Sequence, residues 1–155
     1  MSQLVNTGEE YRKRLLAGSI DFPTAYEVLL YDQSTDQIGD GDDLDAITTE
    51  PDDGNYQRLS YPLGSETLTQ RLDENGDWQL VLAEQTFDLV NTTGGYLDAA
   101  AVVVPFQSEG DSGAEDHLFF ITELVDGQGN ATEIDLVGTN ELGYSATLTD
   151  TDESD

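Results

Sequence analysis

The sequence predicts an all-β protein, an antiparallel and jelly-roll-like β-sandwich with a short N-terminal helix. Three observations carry this reading. Short runs rich in β-branched and aromatic residues recur between Gly, Pro, Asn and Asp clusters, at the spacing of sandwich strands. The pair Asn75-Gly76 separates two such runs, which is a strong hairpin signal. The run Ala99 to Phe106 has no polar alternation, so it reads as a strand buried on both faces, or on one face plus a subunit interface.

In chain order, Thr7-Gly8-Glu9-Glu10 reads as a capping box, with Thr7 at the N-cap and Glu10 at the third helical position. Acids at the start and Arg12, Lys13 and Arg14 toward the end match the helix dipole, and Gly18 is the stop signal. A helix over Gly8 to Ala17 follows. Thr24 to Tyr31 reads as a strand. Asp32 to Asn55 reads as a long acidic loop, and loops of that length are functional or mobile. Tyr56 to Tyr61 is a short strand. Thr67 to Leu72 pairs with Trp78 to Ala83 across the Asn-Gly turn, with Trp78 in phase with Leu80 and Leu82 and so expected in the core. Further strands are expected at Thr86 to Val90, Ala99 to Phe106, Asp116 to Val125, Thr132 to Val137 and Tyr144 to Leu148. The whole reads as a single domain over 1–155, with a helical arm at 1–20, a sandwich at 24–149 and an acidic tail at 150–155.

Charge is the strongest compositional signal. The chain carries 33 Asp and Glu against 5 Lys and Arg, for a formal net charge of -28. No cation follows Arg71. At ordinary ionic strength such a chain repels itself, whereas in 1 M salt the Debye length falls to roughly 3 Å and the repulsion fades. The composition fits a protein built for molar salt. A disordered acidic chain is disfavoured by Trp78, seven tyrosines, five phenylalanines and the patterned apolar runs. Phosphates would be repelled and no basic face exists to meet them, which argues against nucleic acid as a partner. The chain has no cysteine for a disulfide or thiolate metal site. Met1 to Gly8 lacks the basic and apolar regions of a signal peptide. The longest apolar run is far short of the roughly 20 residues that span a bilayer.

No catalytic constellation stands out. His117 is the only histidine and lies beside Glu115 and Asp116. Without a second His or a Cys it lacks the partners of a metal site or a triad, and it reads as a strand-edge residue. A glycosidase-type carboxylate pair has no specificity among so many acids. The segments Asp36 to Asp53 and Asp73 to Asp77 are oxygen-rich, as hard cations require. They do not follow EF-hand spacing and read as solvated loops. Asn91-Thr92-Thr93 and Asn130-Ala131-Thr132 are glycosylation sequons in expected turns. Gly94-Gly95-Tyr96 lacks the lysine and helix of a phosphate loop. The reading is of a non-enzymatic protein without a cofactor.

The order of segments resembles a known family. Tyr11-Arg12-Lys13-Arg14-Leu15-Leu16-Ala17-Gly18 precedes the strand Tyr26-Glu27-Val28-Leu29-Leu30-Tyr31, and a loop then ends in Gly54-Asn55-Tyr56-Gln57-Arg58. Thr86-Phe87-Asp88-Leu89-Val90, a Gly-rich turn and Leu97 to Val104 follow. This is similar to small virion structural proteins of tailed phages, in which a strand of V-A-L-F-T character, a G-Y-x-R-Q segment and an I-T-F strand come in that order. Gln57-Arg58 stands where the family has Arg-Gln. Together with the acidic composition, the resemblance implies a virion protein of a haloarchaeal tailed virus. It would be a capsid decoration or turret subunit, with a tail, connector or fibre component as the alternative. A halophilic surface or carbohydrate-binding sandwich is a further alternative. The expected partners are further copies of the chain, in a closed homo-oligomer, and a major capsid protein. Arg12, Lys13 and Arg14 would anchor the module to an acidic shell, and the run Val102, Val103 and Val104 would offer oligomer contacts.

Dilution from molar salt to tens of millimolar is expected to unfold or dissociate the protein as self-repulsion returns. Circular dichroism across a salt titration checks this, and an unchanged spectrum would contradict it.

Overall fold

A computed structural model of the chain describes residues 2–149, and the expected acidic tail at 150–155 lies outside them. Two antiparallel sheets form the sandwich, as the strand pattern predicts. The larger sheet has the order β1-β8-β7-β2-β3. Its strands are β1 (Ser2–Leu4), β2 (Ala25–Tyr31), β3 (Leu59–Pro62), β7 (Ala99–Phe106) and β8 (Glu115–Glu123). The smaller sheet has the order β10-β5-β4, from β4 (Leu68–Leu72), β5 (Trp78–Asp88) and β10 (Glu141–Thr149). A two-residue pairing joins β6 (Tyr96–Leu97) to β9 (Ile134–Asp135). The first helix, α1, spans Asn6–Leu16.

The centre of the large sheet is apolar on both faces. Along β7, Ala100, Val102, Val104 and Phe106 point into the main core, shared with Leu82 and Phe87 of β5, Tyr144 and Leu148 of β10, and Tyr11 of α1. Ala99, Ala101 and Val103 point the other way, beside Leu29 and Tyr31 of β2. That second face is covered by the segment after β2. Ile38 is buried there, and Leu44, Ala46 and Ile47 pack against the cluster. The expected acidic loop is therefore a roof, built from α2 (Gln33–Asp36) and a 3₁₀ turn over Leu44–Ala46. Polar bonds pin it. Asp36 accepts from the hydroxyls of Thr48 at 2.6 Å and Thr49 at 2.7 Å, and the Asn6 N–H donates to the Asp40 carbonyl at 2.9 Å.

Val102, Val103 and Val104 are 0%, 1% and 0% exposed within one chain. This corrects the expectation that they make oligomer contacts: both faces of the strand are filled by the chain itself.

The N-terminal segment is part of the sandwich and not an arm. β1 pairs with β8, and the Val5 N–H carries that ladder on to the Phe119 carbonyl at 3.2 Å. Helix α1 starts two residues earlier than the capping box implies, with Val5 as its N-cap and no side-chain cap. The Thr7 hydroxyl donates instead to the Leu118 carbonyl at 2.6 Å and so ties the helix to β8. The helix approaches the strand closely at Gly8, where an added Cβ would lie 2.3 Å from the Phe119 carbonyl oxygen.

Several expected strands change length: Tyr56 to Tyr61 shortens to β3, and Tyr144 to Leu148 lengthens to β10. Thr86 to Val90 continues β5 without a break to Asp88, and Thr132 to Val137 shrinks to the two residues of β9. Trp78 is 63% exposed, contrary to expectation. Its phase is as read: Leu82 is fully buried and Leu80 partly buried on the same face. Burial falls off toward the hairpin tip because the small sheet extends past the layer beneath it.

Gly8→Ala should lower stability by about 1–3 kcal/mol, since the neighbour of the new methyl is backbone that cannot rotate away. Urea unfolding in molar salt measures this, and an unchanged midpoint would mean that the helix can shift without cost.

Candidate functional site

The densest polar cluster lies where α1, β8, the roof and the loop between β7 and β8 meet. Its centre is His117 on β8, opposite Val104 and therefore at the margin of the buried sheet. The imidazole is only 10% exposed and packs against Phe106, with ring centroids 4.8 Å apart. Its Nδ1 is 2.5 Å from Oδ2 of Asp43, and its Nε2 is 2.7 Å from Oδ2 of Asp111. Asp43 comes from the roof. Its Oδ1 also accepts the N–H of Leu118 at 2.9 Å and of Leu44 at 2.7 Å, which starts the 3₁₀ turn. Asp111 comes from the loop after β7 and also accepts the Ser108 N–H at 2.9 Å. Glu10 of α1 holds the same loop, through the Ser108 hydroxyl at 2.7 Å and the Glu109 N–H at 3.1 Å. Arg14 donates from Nε to Glu10 at 2.6 Å.

Ionised carboxylates only accept hydrogen bonds, so both imidazole nitrogens must donate and His117 is an imidazolium. Burial pulls its pKa down, but the hydrogen bonds and charges of Asp43 and Asp111 outweigh this and hold it above the ordinary 6.5. The His117 bond, helped by the Ser108 N–H, keeps Asp111 below the usual carboxylate value. Glu10 is also lowered: burial opposes this, and the bonds from Ser108, Arg14 and Glu109 prevail. With both nitrogens engaged, the ring has no lone pair for a substrate proton or a metal. The cluster is a latch joining two loops to β8.

A second cluster closes the other side of the roof. Arg58 grips Glu50 with Nε and a terminal nitrogen, each at 2.9 Å, and reaches Glu27 at 3.4 Å and Asp116 at 3.8 Å. Tyr56 donates to Glu50 at 2.8 Å and accepts the Leu30 N–H at 3.1 Å. A cleft of about 500 Å³ runs past Gln3, Tyr31, Gln33, Asp98 and Thr132. Three of its polar groups are tied to each other: Tyr31 donates to Gln33 Oε1 at 2.7 Å, and Asp98 accepts the Gln33 N–H at 2.6 Å.

The expected site residues separate in space and role. Lys13 is exposed, Arg12 is half-buried and Arg14 is paired to Glu10. Among the described residues no group of three or more His, Cys, Asp or Glu side chains is placed to hold a metal ion, and no helix is long and apolar enough to cross a membrane. Asn91 and Asn130 are both exposed. Asn91 has a positive φ of 61°, and the Thr93 hydroxyl of its sequon donates to Asp53. Sequence reading placed His117 at a strand edge and missed its partners, because Asp43 is 74 residues away and neither acid stands out among so many.

No protein-family model matches the chain, and no curated protein or solved structure matches it.

The pH dependence of stability follows from the latch. The His117 contribution is full below the unfolded pKa near 6.5 and is lost as pH rises through the higher folded value. The Asp111 contribution is present above the unfolded carboxylate pKa and is lost as pH falls through its lowered folded value. His117→Gln should cost about 2 kcal/mol at pH 6 and flatten the alkaline limb of stability against pH. An alkaline limb that is the same in both proteins would show that His117 carries no charge in the native state.

Proposed function

We propose that this protein is a non-enzymatic structural subunit of a virion that assembles in molar salt, a capsid decoration or turret subunit on the shell of a tailed virus. The observation that carries the reading is where the polar chemistry goes. His117, Asp43, Asp111, Arg58, Glu50 and Asp36 all hold loops onto a sandwich. A rigid module with an acidic surface suits a particle exposed to concentrated salt. The order of segments supports the virion reading through its similarity to tailed-phage structural proteins. Lys13 and Leu16, both exposed near the end of α1, are the surface offered to an acidic shell.

A carbohydrate-binding module is the second reading. It is favoured by Trp78, whose 63% exposure supplies the open aromatic platform that sugars use.

Immunogold electron microscopy on particles purified from a halophilic virus lysate tests the proposal. Gold over the heads is the expected result. Gold on tails would replace the shell position with a tail, connector or fibre role. Unlabelled particles would overturn the virion reading and leave the carbohydrate module.

A further inference from the structure

The free edge of the small sheet differs from the other sheet edges. β1 has three residues, β3 ends in Pro62, and β10 carries a register shift between Tyr144 and Ala146. Short length, proline and bulges are the usual protections of an edge strand. β4 has five residues and none of these features, and Thr69 to Leu72 are exposed. It also has no acid. Residues 67–72 and 78–83 contain neither Asp nor Glu, in a chain that has 33 of them.

The backbone is set up for pairing. The Ala83 N–H donates to the Thr67 carbonyl and the Asp73 N–H to the Asp77 carbonyl, each at 2.9 Å. Antiparallel alternation then turns the N–H and C=O of Gln70 and Leu72 away from β5. Leu72 is 54% exposed and directly opposite Trp78, which is 63% exposed. These two continue the core face of the sheet beyond its cover. Arg14 and Arg58 are held by carboxylates of their own chain, whereas Arg71 donates to the neutral amide of Gln79 at 3.0 Å.

We infer that β4 is the edge on which a second copy of this chain docks, antiparallel and across a two-fold axis. Charge selects this occupant. Two copies repel wherever acids face acids, and the two strands of this hairpin, acid-free on either side of a turn that carries Asp73, Glu74 and Asp77, are where they can approach. The patch is also self-complementary, because Arg71 lies two residues from Asp73. In an antiparallel contact centred on Leu72, each Arg71 falls opposite the second copy's Asp73. The two Leu72 side chains meet, and both Trp78 rings lose water. The inference does not rest on the virion reading.

Trp78 is the only tryptophan, so its emission reports on this surface alone. Sedimentation equilibrium and fluorescence of the whole chain in molar KCl provide the test. The expected result is a monomer–dimer equilibrium, with Trp78 emission moving to shorter wavelength as the dimer forms. Leu72→Pro removes the outward N–H at the centre of the contact and leaves the β5 ladder intact, and Arg71→Glu reverses the charge. Each should weaken association at least tenfold with an unchanged circular dichroism spectrum. Should the proline variant fail to fold, Arg71→Glu, on the exposed face, still decides. The inference is overturned by a wild-type monomer with fixed emission at all concentrations. Association that neither variant weakens, or emission that responds only to a soluble glycan or to a different protein, overturns it equally.

Discussion

A sheet with apolar side chains on both faces has to be covered twice. In this chain β7, with Val102 and Val104 on one side and Val103 on the other, imposes that requirement on everything around it. One face is covered in the ordinary way, by a second sheet and by helix α1. The other face is covered by the segment between β2 and β3, which has few apolar residues to give. Ile38, Leu44, Ala46 and Ile47 supply the contact, and the acids around them do the fastening.

The acids thus have two roles. Most face solvent and make up the net charge of -28. A smaller set act as acceptors within the fold: Asp36 for two threonines, Asp32 for the start of α2, Asp43 for Leu118 and His117, Glu50 for Tyr56 and Arg58. A carboxylate can accept several bonds at once, so a chain rich in acids and short of cations can hold its loops without forming many ion pairs. His117 extends this logic. Between two carboxylates it becomes a cation, and it does so in a stretch of sequence that has no lysine or arginine.

Strand identity was legible where local pattern decides it. The hairpin across Asn75-Gly76, the two-faced burial of Ala99 to Phe106 and the strand at Tyr26 to Tyr31 all follow from period and turn chemistry. Three features were not legible, each for a physical reason. Thr7 has the right spacing for a cap, but the carbonyl of Leu118 takes its hydroxyl, and only the tertiary fold brings that carbonyl near. Trp78 has the right phase for the core, but phase gives the face of a strand and not how far the covering layer extends. Asp32 to Asn55 looks like solvated loop because acids dominate it, although Ile38, Leu44 and Ile47 were the visible sign of a buried face. The latch needed residues from three distant segments, and nothing local joins them.

The roof has a consequence for how the molecule comes apart. It joins β2 to β3, which are neighbours in the sheet, so lifting it breaks no strand pairing. Its helix and 3₁₀ turn rest on one cluster, across the sheet from the main core, and Tyr56, nearer β3, packs against that core. Opening the roof is therefore a smaller event than unfolding, with its own lower free energy, as expected of a segment held by side-chain bonds over a complete sheet. The protein has two levels of native order, and in the upper one an apolar face that includes Leu29 and Val103 meets water while the sandwich beneath it stands.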